Sequence, residues 1–208
     1  MSLTSYLAYA AFAAVVIIAP GPDFALTVGN TLRSGRSGGL RTALGIATSN
    51  VVQGTAAAFG LGALIVGSEL AFTVIRWVGA AYLAYLGVRM LRAAFRGDYA
   101  VTDLDSRTAA TRRWLAYQQG FLSNITNPKV LTLYLSVLPQ FLAGHPSVSA
   151  ALLLAYTHSV LGLAWLVVLV TFLNRIRSRL QRRRVRRCLD GATGVAMLGF
   201  GARLAVEG

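Results

Sequence analysis

The apolar segments of this chain limit its fold more than any other feature of the sequence. Six segments are long enough to cross a bilayer, for which an α-helix needs about 20 mostly apolar residues. They lie at about 5–31, 40–65, 70–91, 114–142, 150–173 and 189–206. Short connections separate them, and only 13% of the residues are charged. The sequence therefore predicts an all-α polytopic membrane protein of six transmembrane helices in one domain, residues 1–208.

The arginines are concentrated in alternate connections between these segments. The connections after segments one, three and five contain Arg33, Arg36 and Arg41, then Arg89, Arg92, Arg96, Arg107, Arg112 and Arg113, then Arg175, Arg177, Arg179, Arg182, Arg183, Arg184, Arg186 and Arg187. The other two connections contain almost no basic residue. Because basic residues favour cytoplasmic loops, the pattern predicts that these three connections face the cytoplasm and that both termini are extracytoplasmic.

The net charge of +13 has two interpretations. In a soluble protein it would favour a nucleic-acid partner. Here the arginines flank apolar segments, which favours contact with anionic lipid head groups instead. We expect membrane lipids as partners and no nucleic acid.

Prolines interrupt the first and fourth segments, in the stretches "APGPDF" and "SNITNPKV". Proline lacks a backbone N–H and is favoured at the first position of a helix, so Pro22 and Pro128 are each expected to begin a half-helix. Pro20 and Gly21 lie in the first break, and Asn127 occupies the N-cap position of the second half-helix. The alternative is a pair of proline kinks without a function.

A charged residue follows each of these prolines directly: Asp23 in the first segment and Lys129, the single lysine of the chain, in the fourth. A charge at the bilayer centre costs at least ~2.5–3.5 kcal/mol on insertion scales and usually marks a functional site. A free amino acid carries the complementary charges, so its amino group can approach Asp23 and its carboxylate Lys129. In the empty carrier the two charges are expected to pair with each other. An Asp23–Lys129 ion pair that only joins two helices is the alternative.

Interrupted segments at positions one and four of six predict a 3+3 inverted repeat with a binding site at the midplane. The half-repeats are 1–97 and 114–208, and 98–113 is the cytoplasmic connector. Polar residues of segments two and five then become candidates to line the site: Asn50, Gln53 and His158. Such side chains also form simple hydrogen bonds between membrane helices, which is the other interpretation.

Four stretches resemble the LysE/RhtB family of bacterial amino-acid exporters: "APGPDF" at 19–24, "GLRTALGIA" at 39–47, "WVGAAYLAYLGVRMLRAA" at 77–94 and "GFLSNITNPKVLTLYLSVLPQF" at 120–141. The resemblance covers the first half and the fourth segment. Many family members have a histidine in segment two where this chain has Gln53. The resemblance implies a secondary-active exporter of amino acids or close derivatives, coupled to proton influx, in the bacterial inner membrane. A homodimer is compatible with it.

Two other classes stay open, a metal-ion transporter and an intramembrane enzyme. No cluster of Cys, His or carboxylate residues lies within the segments, and Asp23 has no second catalytic group beside it. No phosphate-binding GxxxxGK[ST] loop is present, so ATP is not the evident energy source. We predict no enzymatic activity, cofactor or metal. The predicted substrate and coupling residues are Asp23, Lys129, Asn127, Pro20, Pro22, Pro128, Gly21, Gln53, Asn50 and His158.

Overall fold

The computed structural model describes residues 1–60, 69–96, 109–142, 147–180 and 183–206, and this part of the chain is almost entirely helical. The helices are α1 (Leu3–Ile18), α2 (Pro22–Ala58), α3 (Glu69–Arg96), α4 (Ala109–Ile125), α5 (Pro128–Thr132), α6 (Leu138–Phe141), α7 (Val148–Leu180) and α8 (Arg183–Val206). A π-helical turn, Leu133–Val137, joins α5 to α6. The all-α prediction is confirmed.

The chain is broken at both predicted prolines. Helix α1 ends at Ile18, four residues before Pro22, and α1 and α2 are bent by 54° relative to each other. The second break separates α4 from α5, which begins at Pro128. Asn127 is the N-cap of α5, and its side chain accepts a hydrogen bond from Lys129 N at 3.1 Å. Both half-helices therefore begin where the missing proline N–H is tolerated.

Helix α2 reverses its direction at Gly35. This residue has φ 69° and ψ −163°, a conformation that glycine adopts far more readily than residues with a Cβ. Asn30 Nδ2 donates to Thr42 Oγ1 at 2.8 Å, whereas twelve residues of straight helix would separate them by about 18 Å. Helix α2 is therefore two antiparallel helices, which correspond to the end of predicted segment one and to segment two.

Glycines allow the closest helix contacts. Helix α2 packs mainly against α4 and α7, and α3 packs against α8. A Cβ on Gly45 of α2 would clash with the carbonyl oxygen of Tyr117 in α4, and one on Gly120 would clash with that of Thr42. Small residues at such crossings let membrane helices approach closely without a side chain between them.

The length and apolarity of the helices bear on the number of membrane spans. Within the described residues, one single helix is long and apolar enough to cross a membrane: Val148–Ile176, with 29 residues and a mean hydropathy of 2.0. The helices Leu3–Ile18 and Pro22–Ala58 are also long and apolar enough when they are taken together as one bent span. The last part of predicted segment two, 61–65, lies outside the described residues. The count of six spans and the inverted repeat stay predictions.

Some helices extend beyond the predicted segments. Helix α7 continues to Leu180 and α8 already begins at Arg183, so most of the third arginine cluster is helical and not an irregular loop. Arginine is a good helix former, and the loss of apolarity ends a membrane segment without ending its helix. The connector 98–113 lies mostly outside the described residues; its last five, 109–113, belong to α4.

Candidate functional site

A cavity lies where the two helix breaks meet. Its walls come from α1, both breaks, the second half of α2 and α7, and its empty volume is about 540 Å³, including the space at its open side. Six of the predicted site residues line it: Gly21, Asp23, Asn50, Asn127, Lys129 and His158. The fold therefore brings residues from four separate stretches of the chain to one cavity.

The Asp23 carboxylate accepts three hydrogen bonds from the second break. Ser123 Oγ donates to Oδ1 at 3.1 Å, while Asn124 Nδ2 and Asn127 Nδ2 donate to Oδ2 at 2.9 and 2.8 Å. Asp23 also lies in the first turn of α2, where the helix dipole favours a carboxylate. Neutral donors and the dipole together hold this carboxylate in place.

Lys129 makes the opposite connection, from the second break to the first. Its Nζ donates to the carbonyl oxygen of Ala19 at 2.8 Å. Ala19 is the C-cap of α1, where carbonyl groups lack helical partners and the dipole favours a cation. The ammonium also lies beside Gly21, where an added Cβ would be 3.9 Å from Nζ, at ordinary van der Waals distance.

Asp23 and Lys129 do not form an ion pair in the described part of the chain. The carboxylate is bound by side-chain donors and the ammonium by a backbone carbonyl. The ion pair is therefore not observed, neither as the pairing expected in the empty carrier nor as a contact that only joins two helices, because neutral groups of the opposite break bind both charges. Since both charges line one cavity, the site is complementary to a small molecule that carries an ammonium and a carboxylate.

Gln53 acts one layer behind the cavity. It is buried, and its Nε2 lies within hydrogen-bond distance of Asn124 Oδ1 at 3.0 Å, Asn124 O at 3.1 Å and Ser49 Oγ at 3.2 Å. Donation to Asn124 Oδ1 turns the other end of that carboxamide toward Asp23. Gln53 is therefore placed to position Asn124, which in turn binds the carboxylate.

The three predicted prolines shape the backbone of the site. Pro22 and Pro128 are at the starts of α2 and α5, and Pro20 is exposed in the first break. Their missing N–H groups leave carbonyl groups at the breaks without helical partners.

A second wall of the cavity is neutral. Asn50 and His158, which are 3% and 4% exposed, line it together with Trp165. Among the described residues, Asn50 Oδ1, His158 Nδ1 and Trp165 Nε1 are buried without a hydrogen-bond partner. The His158 and Tyr134 rings are nearly perpendicular, with centroids 5.7 Å apart and an interplanar angle of 77°.

The predicted set omitted Ser123, Asn124 and Trp165. Asn124 lies in the last turn of α4 and Asn127 is the N-cap of α5, so they belong to different helices, and no local pattern marked Ser123 or Asn124 as a partner of Asp23. Trp165 follows His158 by seven residues, or about two helical turns, and so lies on the same face of α7.

The alternative classes gain no support from the described residues. No group of three or more His, Cys, Asp or Glu side chains within them could hold a metal ion. Asp23 is bound by amide and hydroxyl donors, and the cavity lining includes no second carboxylate beside it among those residues.

Comparison with known proteins identifies the family. The family profile of LysE type translocators matches residues 14–208. The chain is 32% identical over 206 residues to the uncharacterized membrane protein YrhP of Bacillus subtilis, covering 96% of this chain and 97% of that protein. It is 27% identical over 206 residues to the homoserine/homoserine lactone efflux protein of Salmonella typhimurium, covering 99% and 98%. No solved structure matches the chain.

The profile match extends over most of the chain, and both relatives match over nearly their whole length. Translocators of this family are integral proteins of the bacterial inner membrane and are transporters, not enzymes. This chain belongs to the LysE family of translocators.

Proposed function

We propose that this protein is a secondary-active exporter of amino acids or close derivatives, driven by proton influx. The observation that carries the proposal is the cavity between the two helix breaks, which presents a carboxylate and an ammonium that are not paired with each other. The similarity to homoserine/homoserine lactone efflux proteins supports a substrate of the amino-acid type.

In this proposal the substrate replaces the contacts between the breaks. The α-ammonium group approaches Asp23, and the α-carboxylate approaches Lys129 and competes with the Ala19 carbonyl for its Nζ. A carboxylate is the stronger acceptor because its hydrogen bonds are charge-assisted on both sides. Binding therefore exchanges contacts between the helices for contacts with the substrate.

The proposed coupling uses Asp23 as the proton acceptor. A proton that enters from outside neutralises the carboxylate and removes its attraction for the substrate's ammonium. The amino acid then leaves outward and the proton is released to the cytoplasm. Because Asp23 binds either the ammonium or the proton, outward movement of the amino acid is coupled to inward movement of the proton.

The proposed transport cycle moves the half-repeats 1–97 and 114–208 against each other. Two reciprocal features support this symmetry. Each charged residue contacts the opposite break, and α3 and α8 pack through Gly87 and Gly194, where an added Cβ on each would lie 2.9–3.0 Å from the other's carbonyl oxygen. Inverted repeats of this kind expose a midplane site alternately to the two sides.

The proposed orientation follows the arginines. The turn at Gly35 and the junction of α7 with α8 carry basic clusters, so both lie at the cytoplasmic face in a protein with six spans and extracytoplasmic termini. Arginines there contact anionic lipid head groups.

The test is efflux from vesicles that contain the purified protein. Vesicles are loaded with individual labelled amino acids at neutral pH and diluted into acidic or neutral buffer. We expect faster efflux of at least one amino acid into the acidic buffer, and loss of the difference with a protonophore. Empty vesicles are the control. An efflux rate that does not depend on the proton gradient for any amino acid would contradict the proposal, as would transport of a divalent metal ion instead.

A further inference from the structure

A second cavity lies at the far end of the first half of α2, residues 22–34. Its empty volume is about 530 Å³, including the space at its open side. Residues on both sides of the reversal in α2 and at the start of α4 line it: Ser34, Ser37, Gly38, Arg112 and Arg113. Arginines and hydroxyl groups are costly to desolvate, so such a lining favours a water-filled space. In the proposed orientation this cavity is on the cytoplasmic side.

Three polar side chains from α2 and α4 form a layer next to the second cavity. Asn30 Nδ2 donates to Thr42 Oγ1 at 2.8 Å and to Gln119 Oε1 at 3.0 Å. The Thr42 hydroxyl donates in turn to the carbonyl oxygen of Gly38 at 3.0 Å, and Gly38 lines the second cavity. Asn30, Thr42 and Gln119 are called the polar layer below.

The polar layer lies between the second cavity and the cavity at the helix breaks. Asn30 follows Asp23 by seven residues, or about 10 Å of helix, and precedes Ser34 by four, or about 6 Å. In α4, Gln119 lies one helical turn before Ser123, which donates to Asp23. Both helices therefore place the polar layer between the two cavities.

One face of the first half of α2 is polar along its whole length. Residues four, three and four positions apart share one side of a helix, and here they are Asp23, Thr27, Asn30 and Ser34. Another side is apolar, since Val28 and Leu32 pack with Leu173. Polar residues within membrane segments face the bundle interior or a water-filled cavity, and they mark the pathways of substrates and ions. The polar face thus marks a pathway from the second cavity to Asp23.

We propose that the second cavity is the entrance for the substrate from the cytoplasm, and that the polar layer is the gate between this entrance and the Asp23–Lys129 site. This inference rests on the proposed export and its orientation. The hydrogen bonds of Asn30 close the gate in this structure. When they break, the substrate moves along the polar face to the site.

The first half of α2 is the element that opens the gate. The proline break precedes it, and Gly35, with φ 69°, follows it; a few residues at the ends of an element can act as hinges. The bond from Asn30 to Gln119 also joins the proposed half-repeats, so their movement against each other breaks it. Hydrogen bonds between neutral groups contribute little net free energy, which allows the gate to open in each cycle.

The experiment measures whether water-soluble reagents reach the polar face. Cys188, which is exposed, is first removed by Cys188→Ser. Thr27→Cys then places a thiol on the polar face between the gate and Asp23, at a position that is 0% exposed. Val28→Cys is the matched control, because Val28 is the next residue, is also buried, and packs on the apolar side. A membrane-impermeant thiol reagent is applied separately to each face of vesicles that contain the full-length protein.

We expect the reagent to modify Thr27→Cys from the cytoplasmic face, and faster than it modifies Val28→Cys. Asn30→Ala removes both hydrogen bonds of the gate and should raise the rate at Thr27→Cys by about tenfold, whereas Gln119→Met removes one acceptor and should raise it by about threefold. Neither variant should raise the rate at Val28→Cys. Gln118→Ala, at an exposed position of α4, should leave both rates unchanged.

These rates separate a gate from a structural contact between helices. Loss of a structural contact would lower the thermal unfolding temperature in detergent and expose both thiols alike. The same unfolding measurement shows which variants fold, and if Asn30→Ala does not, Gln119→Met decides.

Three outcomes would overturn the entrance and its gate: equal modification of the two thiols, modification of Thr27→Cys from the outer face alone, or rates that no folded gate variant changes. Labelling requires neither an amino acid nor a proton gradient, so these outcomes leave export through the Asp23–Lys129 site intact. Absence of gradient-driven efflux in the vesicle assay would instead overturn the proposed function, whatever the labelling rates are.

Discussion

Lys129 and Ala19 connect the two helix breaks: the lysine Nζ in one break donates to the carbonyl oxygen of Ala19 in the other at 2.8 Å. Asp23 makes the reciprocal connection, because its carboxylate accepts from Asn124 and Asn127 at the second break. Each charge therefore stabilises the opposite break through neutral groups. A ligand that binds either charge must compete with a contact between the two halves of the chain.

The first prediction concerns the ammonium of Lys129. Lys129→Arg keeps the positive charge, but the guanidinium is larger, planar and permanently protonated. It cannot occupy the same place between Ala19 O and Gly21. We expect export to fall on the order of 100-fold, as a displacement of about 1 Å can cause.

The measurement is gradient-driven efflux at equal membrane abundance. Arg41→Lys, at an exposed position, is the matched control and should export normally. Wild-type efflux by Lys129→Arg would mean that the residue serves only as a fixed positive charge.

The second prediction concerns Gln53. Gln53→Leu removes the donor to Asn124 Oδ1 and leaves the carboxamide free to turn away from Asp23. An unsatisfied buried group costs about 1–3 kcal/mol, so we expect export about tenfold lower and a changed dependence on external pH. Gln53→His can supply an N–H donor again and should retain more activity than Gln53→Leu.

The pH profile separates positioning from simple packing, since a packing defect would lower export equally at every pH. Gln118→Leu, at an exposed position of α4, is the control. An unchanged profile in Gln53→Leu would show that Gln53 does not act through Asp23.

The third prediction concerns the crossing of α2 and α4. Gly45→Ala places a Cβ against the Tyr117 backbone, so the helices must separate, and overpacking of this kind costs about 1–3 kcal/mol. Gly199→Ala, where nothing lies within 4 Å of an added Cβ, should be neutral or slightly stabilising. Thermal unfolding in detergent measures both. Equal stability of the two variants would contradict the close crossing.

The local features of the site were predictable from sequence, whereas contacts between residues far apart in the sequence were not. Pro22 and Pro128 predicted both helix starts, and the position of Asn127 directly before Pro128 predicted the N-cap. These effects act within one helical turn. The partner of Lys129 is a backbone carbonyl, and any residue could provide one. Asn124 and Ser123 became partners of Asp23 only through tertiary packing, which no local pattern encodes.

The same limit applies to the turn in α2. The arginines of the stretch "RSGRSGG" at 33–39 predicted a connection between segments one and two. The structure concentrates the reversal at Gly35 and leaves Gly38 and Gly39 in helical segments, where an added Cβ would meet Asn30, Ser34, Thr31 or Val170. The neighbouring helices determine which glycine forms the chain reversal and which glycines lie in close helix contacts.

The fourth prediction concerns orientation. A reporter that is active outside the cytoplasm should work when fused after Gly208, and a cytoplasmic reporter should work when inserted near Asp98, a position outside the described residues. The arginine clusters give the physical reason, because they resist transfer across the membrane. Opposite signals at both positions would reverse the proposed direction of every span.

The last prediction tests the carboxylate of Asp23 apart from its shape. Asp23→Asn fits the same contacts: its carbonyl oxygen can accept from Asn124 and Asn127, and its NH₂ group can donate to the Ser123 hydroxyl, which can also accept. The variant should therefore fold and reach the membrane in normal amounts. It has no charge to attract the substrate's ammonium and cannot exchange it for a proton, so gradient-driven export should fall to the level of empty vesicles. Efflux into buffers of different pH measures this, with thermal unfolding as the control for folding. Export at the wild-type rate with the wild-type pH dependence would make Asp23 a helix-start residue without a role in coupling.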